Sequence, residues 1–298
     1  MLCEIVKFKA SDGLILHGAI YLPKTKSHRA VLHIHGLGGS FFGSTAIEEL
    51  ASEYTANGIA FFVIELRGSY VVEEFTRIAG KKTDDVMAGS ALEVFEDSRN
   101  DILGGISYLL KLGYKDIFLE GHSTGCQKSI YFMSKYKGRH IKLLVLLSPV
   151  DDYNFDLKVH KEQLFKKNVR IAKRIAARGE KNALMPAYSM PEGQKFIGAK
   201  RFLSTANPKN PESMLLNFSL DKLKYLSKVK VPTLAVFGNK DQFMVLPVEL
   251  ALEKMARDAG CSLSTAIIKG ADHGFHGKTK LLAELVVRWV AEHAPKRL

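Results

Sequence analysis

Short apolar runs alternate with helical patterns along most of this chain, and this alternation is what most constrains its fold. Several runs are almost continuously apolar, which is typical of strands buried on both faces of a parallel sheet. Parallel strands require crossover connections, and the helical periodicity between the runs supplies them. An antiparallel hairpin around Ser11-Asp12-Gly13 precedes the first crossover. We therefore predict an α/β fold with an eight-stranded, mostly parallel sheet and helices on both faces.

The alternation is interrupted in two places. Residues 69–92 lack strong periodicity, and we interpret them as an excursion over the surface. Residues 153–230 contain a basic helix, a stretch punctuated by proline and glycine, and a second short helix, and they lie between two predicted sheet strands. We predict that 153–230 is a helical lid inserted after the sixth strand. The core would then consist of residues 1–152 and 231–298.

The predicted lid also carries nearly all of the excess charge. The whole chain has a formal charge of +12, and residues 153–230 contain 17 Lys and Arg against 6 Asp and Glu. Two interpretations of its basic helix remain open. The cations could face the cleft and attract an anionic substrate, or they could form a solvated outer face while the apolar side covers the cleft. A nucleic-acid site would need a wider basic patch with interleaved aromatic residues, so we expect no nucleic-acid partner.

The remaining bulk features indicate a cytoplasmic protein. No run of about 18 apolar residues is present, so no membrane span is expected, and the first residues do not form a secretory signal. Cys3, Cys126 and Cys261 lie far apart without metal-binding or disulfide spacing, which favours free thiols in a reducing compartment. A homodimer is an assembly compatible with such a chain.

The segment Gly121-His122-Ser123-Thr124-Gly125 fits the pattern of a nucleophile elbow, G-x-S-x-G. An apolar strand precedes it and a helical pattern follows it, which is the context that this motif requires. The elbow exposes the serine oxygen on a strained turn, and small residues on either side avoid collisions. A simple helix N-cap is the alternative role for the serine.

A serine hydroxyl needs a base, and the base needs an orienting acid. Asp241 ends one predicted strand and His273 follows the next, so both lie at carboxyl ends of strands, where catalytic groups collect. We predict a triad of Ser123, His273 and Asp241. His276 is a rival for the base, and Asp272 is a rival for the acid. Asp151 or Asp152 is a further substitute for Asp241.

The same reaction needs backbone donors for the oxyanion. We predict that these are the N–H groups of Thr124, which follows the serine, and Leu37, in the glycine-rich loop after the third strand. His35, Gly36 and His122 are candidate substrate-binding residues. The histidines show no metal-ligand spacing, so we expect neither a metal nor a cofactor.

Taken together, "HIHGLGG", "ELRGS", "GHSTG", "FGNKD" and "GADHGF" resemble, in this order, the α/β-hydrolases of the serine esterase type. "GHSTGCQ", preceded by "EVFEDSRNDI", also resembles a branch that includes siderophore-ester hydrolases. The resemblance implies the α/β-hydrolase fold and hydrolysis of a small-molecule carboxylic ester through an acyl-enzyme. Alternatives are an amidase, peptidase or acyltransferase with the same triad, or a relative that only binds its ligand.

Overall fold

The computed structural model describes residues 1–43, 45–186, 188–190 and 193–295. In chain order, the strands are β1 (Leu2–Lys9), β2 (Ile15–Leu22), β3 (Arg29–Ile34), β4 (Ala60–Ile64), β5 (Glu73–Ala79), β6 (Lys82–Ala88), β7 (Asp116–His122), β8 (Ile141–Leu147), β9 (Tyr188–Met190), β10 (Gly193–Lys195), β11 (Thr233–Gly238) and β12 (Leu263–Ile268). The α-helices are α1 (Thr45–Ala56), α2 (Ser98–Lys111), α3 (Thr124–Met133), α4 (Asp152–Ala177), α5 (Ala199–Thr205), α6 (Pro211–Leu215), α7 (Val248–Asp258) and α8 (Thr279–His293).

Eight of the strands form one sheet in the order β1-β2-β4-β3-β7-β8-β11-β12. β2 is antiparallel to both of its neighbours, and the pairs from β4 to β12 are parallel. Every residue of β4 and β11 is buried, as expected for strands covered on both faces. The predicted mostly parallel eight-stranded sheet is confirmed.

Two layers of helices cover this sheet. One face packs against α1 and α8, with Leu50 and Val286 fully buried between the layers. The other face packs against α2, α3 and α7 through residues such as Ile106 and Ile130. From β3 the chain proceeds to β4 on one side, whereas β7 lies on the other side of β3. This change of direction opens a crevice at the carboxyl ends of β3 and β7, where ligands bind in open α/β sheets.

The stretch 69–92, which we interpreted as an excursion over the surface, contains an antiparallel hairpin of β5 and β6 that the sequence pattern did not predict. Gly80 occupies the turn with φ of 64°, a left-handed conformation that glycine adopts without strain. The hairpin lies outside the main sheet and is mostly exposed, with Phe75 and Ala88 as its buried apolar side chains. It therefore lacks the apolar pattern by which the other strands were recognised.

The insertion between β8 and β11 contains α4, the β9–β10 hairpin, α5 and α6. Its basic helix, α4, begins at Asp152 and has a small apolar core of its own beneath it, which includes Phe165, Ala172 and Phe202. We refer to residues 152–230 as the inserted segment. The exposed cations of α4, among them Lys166, project from its outer face.

A buried group of four charges joins the inserted segment to the rest of the molecule. Arg201 of α5 is paired with Glu212 of α6 and lies 3.3 Å from Glu93, which also accepts a hydrogen bond of 2.8 Å from Lys128 of α3. All four side chains are almost fully buried. Removing one partner from such a buried pair typically costs about 3–5 kcal/mol, because it leaves an uncompensated charge. The group therefore fixes α5 and α6 against the helix that follows Ser123.

Candidate active site

Ser123 lies at the junction of β7 and α3 with φ of 57° and ψ of −128°. A non-glycine residue rarely adopts positive φ, and such strain is typical of functional sites. The flanking glycines are required by close packing. A Cβ at Gly121 would lie 2.5 Å from the carbonyl oxygen of Gly125, and a Cβ at Gly125 would collide with the carbonyl oxygen of Ile34. The local structure is thus a sharp turn that presents the serine side chain.

The structure brings the three predicted triad residues together. His273 Nε2 lies 2.8 Å from Ser123 Oγ, and His273 Nδ1 lies 3.0 and 2.9 Å from the two carboxylate oxygens of Asp241. Because a carboxylate can only accept, Nδ1–H donates to Asp241 and leaves Nε2 to accept the serine proton. Asp241 and His273 are 8 % and 7 % exposed, so water screens these contacts little.

The rival side chains are engaged elsewhere. His276 Nδ1 lies 2.9 Å from Asp272, and both side chains are exposed. Asp151 caps the start of α4, where it accepts hydrogen bonds from the N–H groups of Asn154 and Phe218. Asp152 accepts a hydrogen bond of 2.6 Å from Gln127. In the described hydrogen bonds, the carboxylate that contacts the ring of His273 is that of Asp241.

Two residues that the sequence analysis missed hold His273 in place. Gln242 Oε1 accepts a hydrogen bond of 3.2 Å from the backbone N–H of His273. The ring of Phe243 lies 4.5 Å from the imidazole, centroid to centroid, and its backbone N–H donates to Asp241. The sequence could have indicated these two residues, because they directly follow Asp241 in the chain. They shield the imidazole and orient the carboxylate beside it.

His122, a predicted substrate-binding residue, lines the cleft and also supports His273. Its Nε2–H donates a hydrogen bond of 3.0 Å to the carbonyl oxygen of His273. Burial and the nearby His273 lower the pKa of His122 to about 3. His122 therefore stays neutral at ordinary pH and connects the loop that carries His273 to the turn at Ser123.

The glycine-rich loop after β3 lies directly against Ser123. A Cβ at Gly36 would be 2.9 Å from Ser123 Cβ, so only glycine fits there. The next residue, Leu37, lines the cleft, and none of the described hydrogen bonds uses its N–H. Thr124 is the first residue of α3, where backbone N–H groups lack partners within the helix. Both residues that carry the predicted oxyanion donors thus line the cleft at Ser123.

His35 shapes this loop from below. Its Nδ1–H donates to the carbonyl oxygen of Gly36 at 2.7 Å, and its Nε2 lies 2.8 Å from the hydroxyl of Ser69. Burial, reinforced by the charge of Lys128, lowers the pKa of His35 to about 3. A neutral ring satisfies both contacts, since Nδ1 donates and Nε2 accepts. His35 also lines the cleft, and its hydrogen bonds indicate that it supports the loop.

These two histidines make the stability depend on pH. Their folded pKa values lie below the unfolded value of about 6.5, so the unfolded chain binds protons first as the pH falls. Their contribution is fully present above about pH 6.5 and is lost as the pH approaches about 3. We expect the free energy of unfolding in urea to fall by about 2–4 kcal/mol between pH 7 and pH 5 because of this pair. His122→Gln should remove about half of this dependence, whereas a pH profile identical to that of the wild type would contradict the assignment.

Ser123 opens into a cleft of about 770 Å³. The inserted segment contributes Phe155 and Phe196 to the wall, and Phe155 packs 4.9 Å from Phe243. Among the described lining residues there are two carboxylates, Asp152 and Asp156, and neither Lys nor Arg. The interpretation in which the basic helix attracts an anionic substrate therefore gains no support from the described lining.

Neither a metal site nor a membrane span is found in the part of the chain that the structure describes. Within these residues, no group of three or more His, Cys, Asp or Glu side chains could hold a metal ion. No helix within the described ranges combines the length and apolarity needed to cross a bilayer.

Comparison with known families identifies the chain. A family model described as "Protein of unknown function (DUF1749)" matches residues 18–293. The chain belongs to this DUF1749 family. None of the curated protein sequences is significantly similar to it.

Solved structures show the fold of this DUF1749 chain. The siderophore hydrolase EstB from Aspergillus fumigatus is similar with a TM-score of 0.72 at 15 % identity, covering 99 % of each chain. The esterase Est1E from Butyrivibrio proteoclasticus, with ferulic acid bound, has a TM-score of 0.65 at 18 % identity, covering 98 % of this chain and all of the other. A putative α/β hydrolase from Agrobacterium tumefaciens has a TM-score of 0.57 at 14 % identity, covering 99 % of this chain and all of the other. The predicted α/β-hydrolase fold is confirmed.

Proposed function

We propose that this protein is a carboxylester hydrolase that works through a Ser123–His273–Asp241 triad and an acyl-enzyme. The observation that carries the proposal is the hydrogen-bonded series from Ser123 Oγ through both ring nitrogens of His273 to Asp241. A hydroxyl, an imidazole and a carboxylate in series are the arrangement that activates a serine nucleophile. EstB is named as a siderophore hydrolase and Est1E as an esterase, and these names support the choice of an ester.

The proposed reaction has two halves. Ser123 Oγ attacks the ester carbonyl carbon while His273 Nε2 accepts the hydroxyl proton, and the N–H groups of Leu37 and Thr124 stabilise the resulting oxyanion. When the C–O bond of the ester breaks, His273 returns the proton to the leaving alcohol, and the acyl group stays on Ser123. Water then attacks the acyl-enzyme with His273 as the base, which releases the acid and restores the serine. Asp241 stabilises the imidazolium in both halves.

We also propose that the inserted segment acts as a lid. Phe155 and Phe196 of this segment line the cleft that contains Ser123 and His273. Arg201, which is paired with Glu212 inside the segment, lies 3.3 Å from Glu93 of the core and so links the segment to it. Contact between Phe155 and Phe243 connects the lid to the side chain that packs on His273. A covered site excludes water and strengthens the electrostatic interactions of the triad.

Covalent labelling tests the proposed nucleophile directly. An alkyl fluorophosphonate should modify one serine per chain, and peptide mass spectrometry should place the adduct on Ser123. His273→Ala should react much more slowly, because the serine then lacks its base. As the fraction of labelled protein increases, its rate of hydrolysis of p-nitrophenyl esters of increasing acyl length should fall by the same fraction. Labelling at another serine, or equal labelling of the His273→Ala variant, would refute the proposed triad.

Amidase, peptidase and acyltransferase activities share this mechanism up to the acyl-enzyme. Rates with matched amide substrates, and with added alcohols as acceptors, separate them from ester hydrolysis. We expect the ester to react fastest, because resonance makes an amide carbonyl less electrophilic than an ester carbonyl. A protein that binds esters without turnover would instead be a ligand-binding relative.

A further inference from the structure

Ser69 lies in the turn that follows β4, in the segment "ELRGS", to which the proposed mechanism gives no role. Ser69 is fully buried. Its backbone N–H donates to the carbonyl oxygen of Leu66 at 2.9 Å, and an isolated β-bridge pairs it with Gly38 of the glycine-rich loop. The next residue, Tyr70, has φ of 60°, a conformation that is rare outside glycine and that clusters at functional sites. A strained turn therefore holds Ser69 against the loop after β3.

The hydroxyl of Ser69 takes part in two hydrogen bonds whose direction is fixed. The backbone N–H of Leu66 donates to Ser69 Oγ at 3.0 Å, and Ser69 Oγ lies 2.8 Å from His35 Nε2. His35 Nδ1 lies 2.7 Å from the carbonyl oxygen of Gly36, which can only accept. The proton of the neutral ring is therefore on Nδ1, and Nε2 accepts the hydroxyl proton of Ser69. The series of donors runs from Leu66 through Ser69 and His35 to Gly36.

The end of this series determines the orientation of the peptide between Gly36 and Leu37. In a planar trans peptide, the C=O and the N–H point in opposite directions. The Gly36 oxygen is directed at the ring of His35, and it also accepts a hydrogen bond of 3.2 Å from the N–H of Gly39. The N–H of Leu37 therefore points away from the buried ring.

This peptide lies beside Ser123. A Cβ at Gly36 would be 3.3 Å from Ser123 Oγ, and both Gly36 and Leu37 line the cleft. In the proposed reaction, the oxyanion forms on the carbonyl that Ser123 attacks, so a donor at this place stabilises it. A peptide turned over by half a rotation would present the Gly36 oxygen there instead, and the two oxygens would repel each other. The orientation of this one peptide therefore decides whether it stabilises or opposes the reaction.

The surroundings of His35 preserve the direction of the series. Burial and the charge of Lys128 lower the pKa of His35 to about 3. A protonated ring would carry a proton on Nε2, which would oppose the hydroxyl proton of Ser69. Lys128 is itself paired with Glu93, and a Cβ at Gly68 would lie 3.0 Å from Lys128 Nζ. This buried ion pair therefore lies directly beside the turn that carries Ser69.

We propose that Ser69 is a positioning residue for the oxyanion hole, which acts through His35 to direct the N–H of Leu37 into the cleft. This inference rests on the proposed ester hydrolysis and identifies what holds one of its two oxyanion donors. The other donor, the N–H of Thr124, belongs to the start of α3 and does not depend on Ser69. Without the Ser69 hydroxyl, Nε2 of the buried ring loses its donor, and the ring is no longer restricted to the tautomer that holds Gly36.

Variants of Ser69 and His35 test this role through kcat for p-nitrophenyl esters. Loss of one oxyanion donor typically costs about 10²–10³ in kcat. We expect His35→Ala to lose about 100-fold and Ser69→Ala about 10-fold, because the latter keeps the ring. His35→Asn places an amide N–H near the position of Nδ1 and should recover most of the loss. KM should stay within about 3-fold throughout, because the oxyanion is absent from the bound ester.

A transition-state analogue gives a readout that a general loss of packing would not change in this way. An alkyl trifluoromethyl ketone forms a hemiketal when Ser123 Oγ bonds to its carbonyl carbon and His273 takes up the hydroxyl proton. The resulting oxyanion occupies the same hole. In Ser69→Ala and His35→Ala, the inhibition constant of the ketone should rise by the factor by which kcat/KM falls. The pH profile of kcat/KM should keep its shape, because neither change touches His273 or Asp241.

Ser129→Ala is the matched control, since it also removes a fully buried hydroxyl and Ser129 Oγ has no partner among the described residues. It should leave kcat and the inhibition constant within about 3-fold of the wild type. An inhibition constant that stays at the wild-type value in Ser69→Ala and His35→Ala would overturn the positioning role while leaving ester hydrolysis intact. Hydrolysis that persists unchanged in Ser123→Ala would overturn the proposed function instead.

Discussion

Replacing Ser123 with alanine is expected to reduce kcat for p-nitrophenyl ester hydrolysis by about 10⁶-fold, the loss typical of removing a serine nucleophile. The variant retains His273, Asp241 and the oxyanion donors, which by themselves give only a small acceleration over water. Its melting temperature should stay close to that of the wild type, since the change removes one oxygen at the cleft. Steady-state hydrolysis and thermal unfolding, measured on the same preparation, test both expectations.

Ser129→Ala is the matched control for this variant. Ser129 lies on the same helix, α3, is fully buried, and its hydroxyl has no partner among the described residues. Its loss should leave kcat within about 3-fold of the wild type, because it does not face the cleft. An esterase activity that is equal in Ser123→Ala and the wild type would show that another group attacks the ester.

Replacing Asp241 with asparagine is expected to reduce kcat by about 10⁴-fold. The asparagine amide would donate to His273 Nδ1, so the ring would carry its proton on Nε2 and could not accept that of Ser123. The geometry would remain almost unchanged, and the loss would come from the tautomer of the base. KM should change much less than kcat, because Asp241 does not contact the substrate in the proposed mechanism.

Asp272→Asn provides the comparison for Asp241. Asp272 immediately precedes His273 in the chain, yet its carboxylate pairs with the exposed His276. Replacing the Asp272 carboxylate should leave kcat within about 3-fold of the wild-type value, since Asp272 does not orient His273. Equal losses in the two variants would show that neither carboxylate is specifically coupled to His273.

The structure also changes how the basic insertion is understood. Its charge was the most unusual bulk feature of the sequence, and it left open whether the cations face the substrate. The described lining of the cleft has no Lys or Arg, and cations such as Lys166 lie on the outer face of α4. Arg201 is instead a buried cation of the insertion, paired with Glu93 and Glu212. The net charge of a segment cannot distinguish exposed cations from a buried and paired one.

The sequence by itself determined the layered fold and the candidates for the triad. Strand burial and helical periodicity are local patterns, and the elbow around Ser123 is a local turn whose glycines follow from steric contact. The chain order of Asp241 and His273 after the serine, at the ends of successive strands, was enough to nominate them. The β5–β6 hairpin escaped this reasoning, because it lies outside the sheet and carries few buried apolar residues.

Only the tertiary structure decided which distant polar groups meet. Phe243 packs on His273, Arg201 joins Glu93, and His33 pairs with Glu120 across residues far apart in the chain. Nothing within a single strand or helix specifies these partners. They are selected when two elements pack and each buried charge or hydrogen-bonding group must find a counterpart, because an unpaired one is costly in the interior. The sequence therefore indicates the candidate catalytic residues, and the packing of the folded chain determines which other side chains surround them.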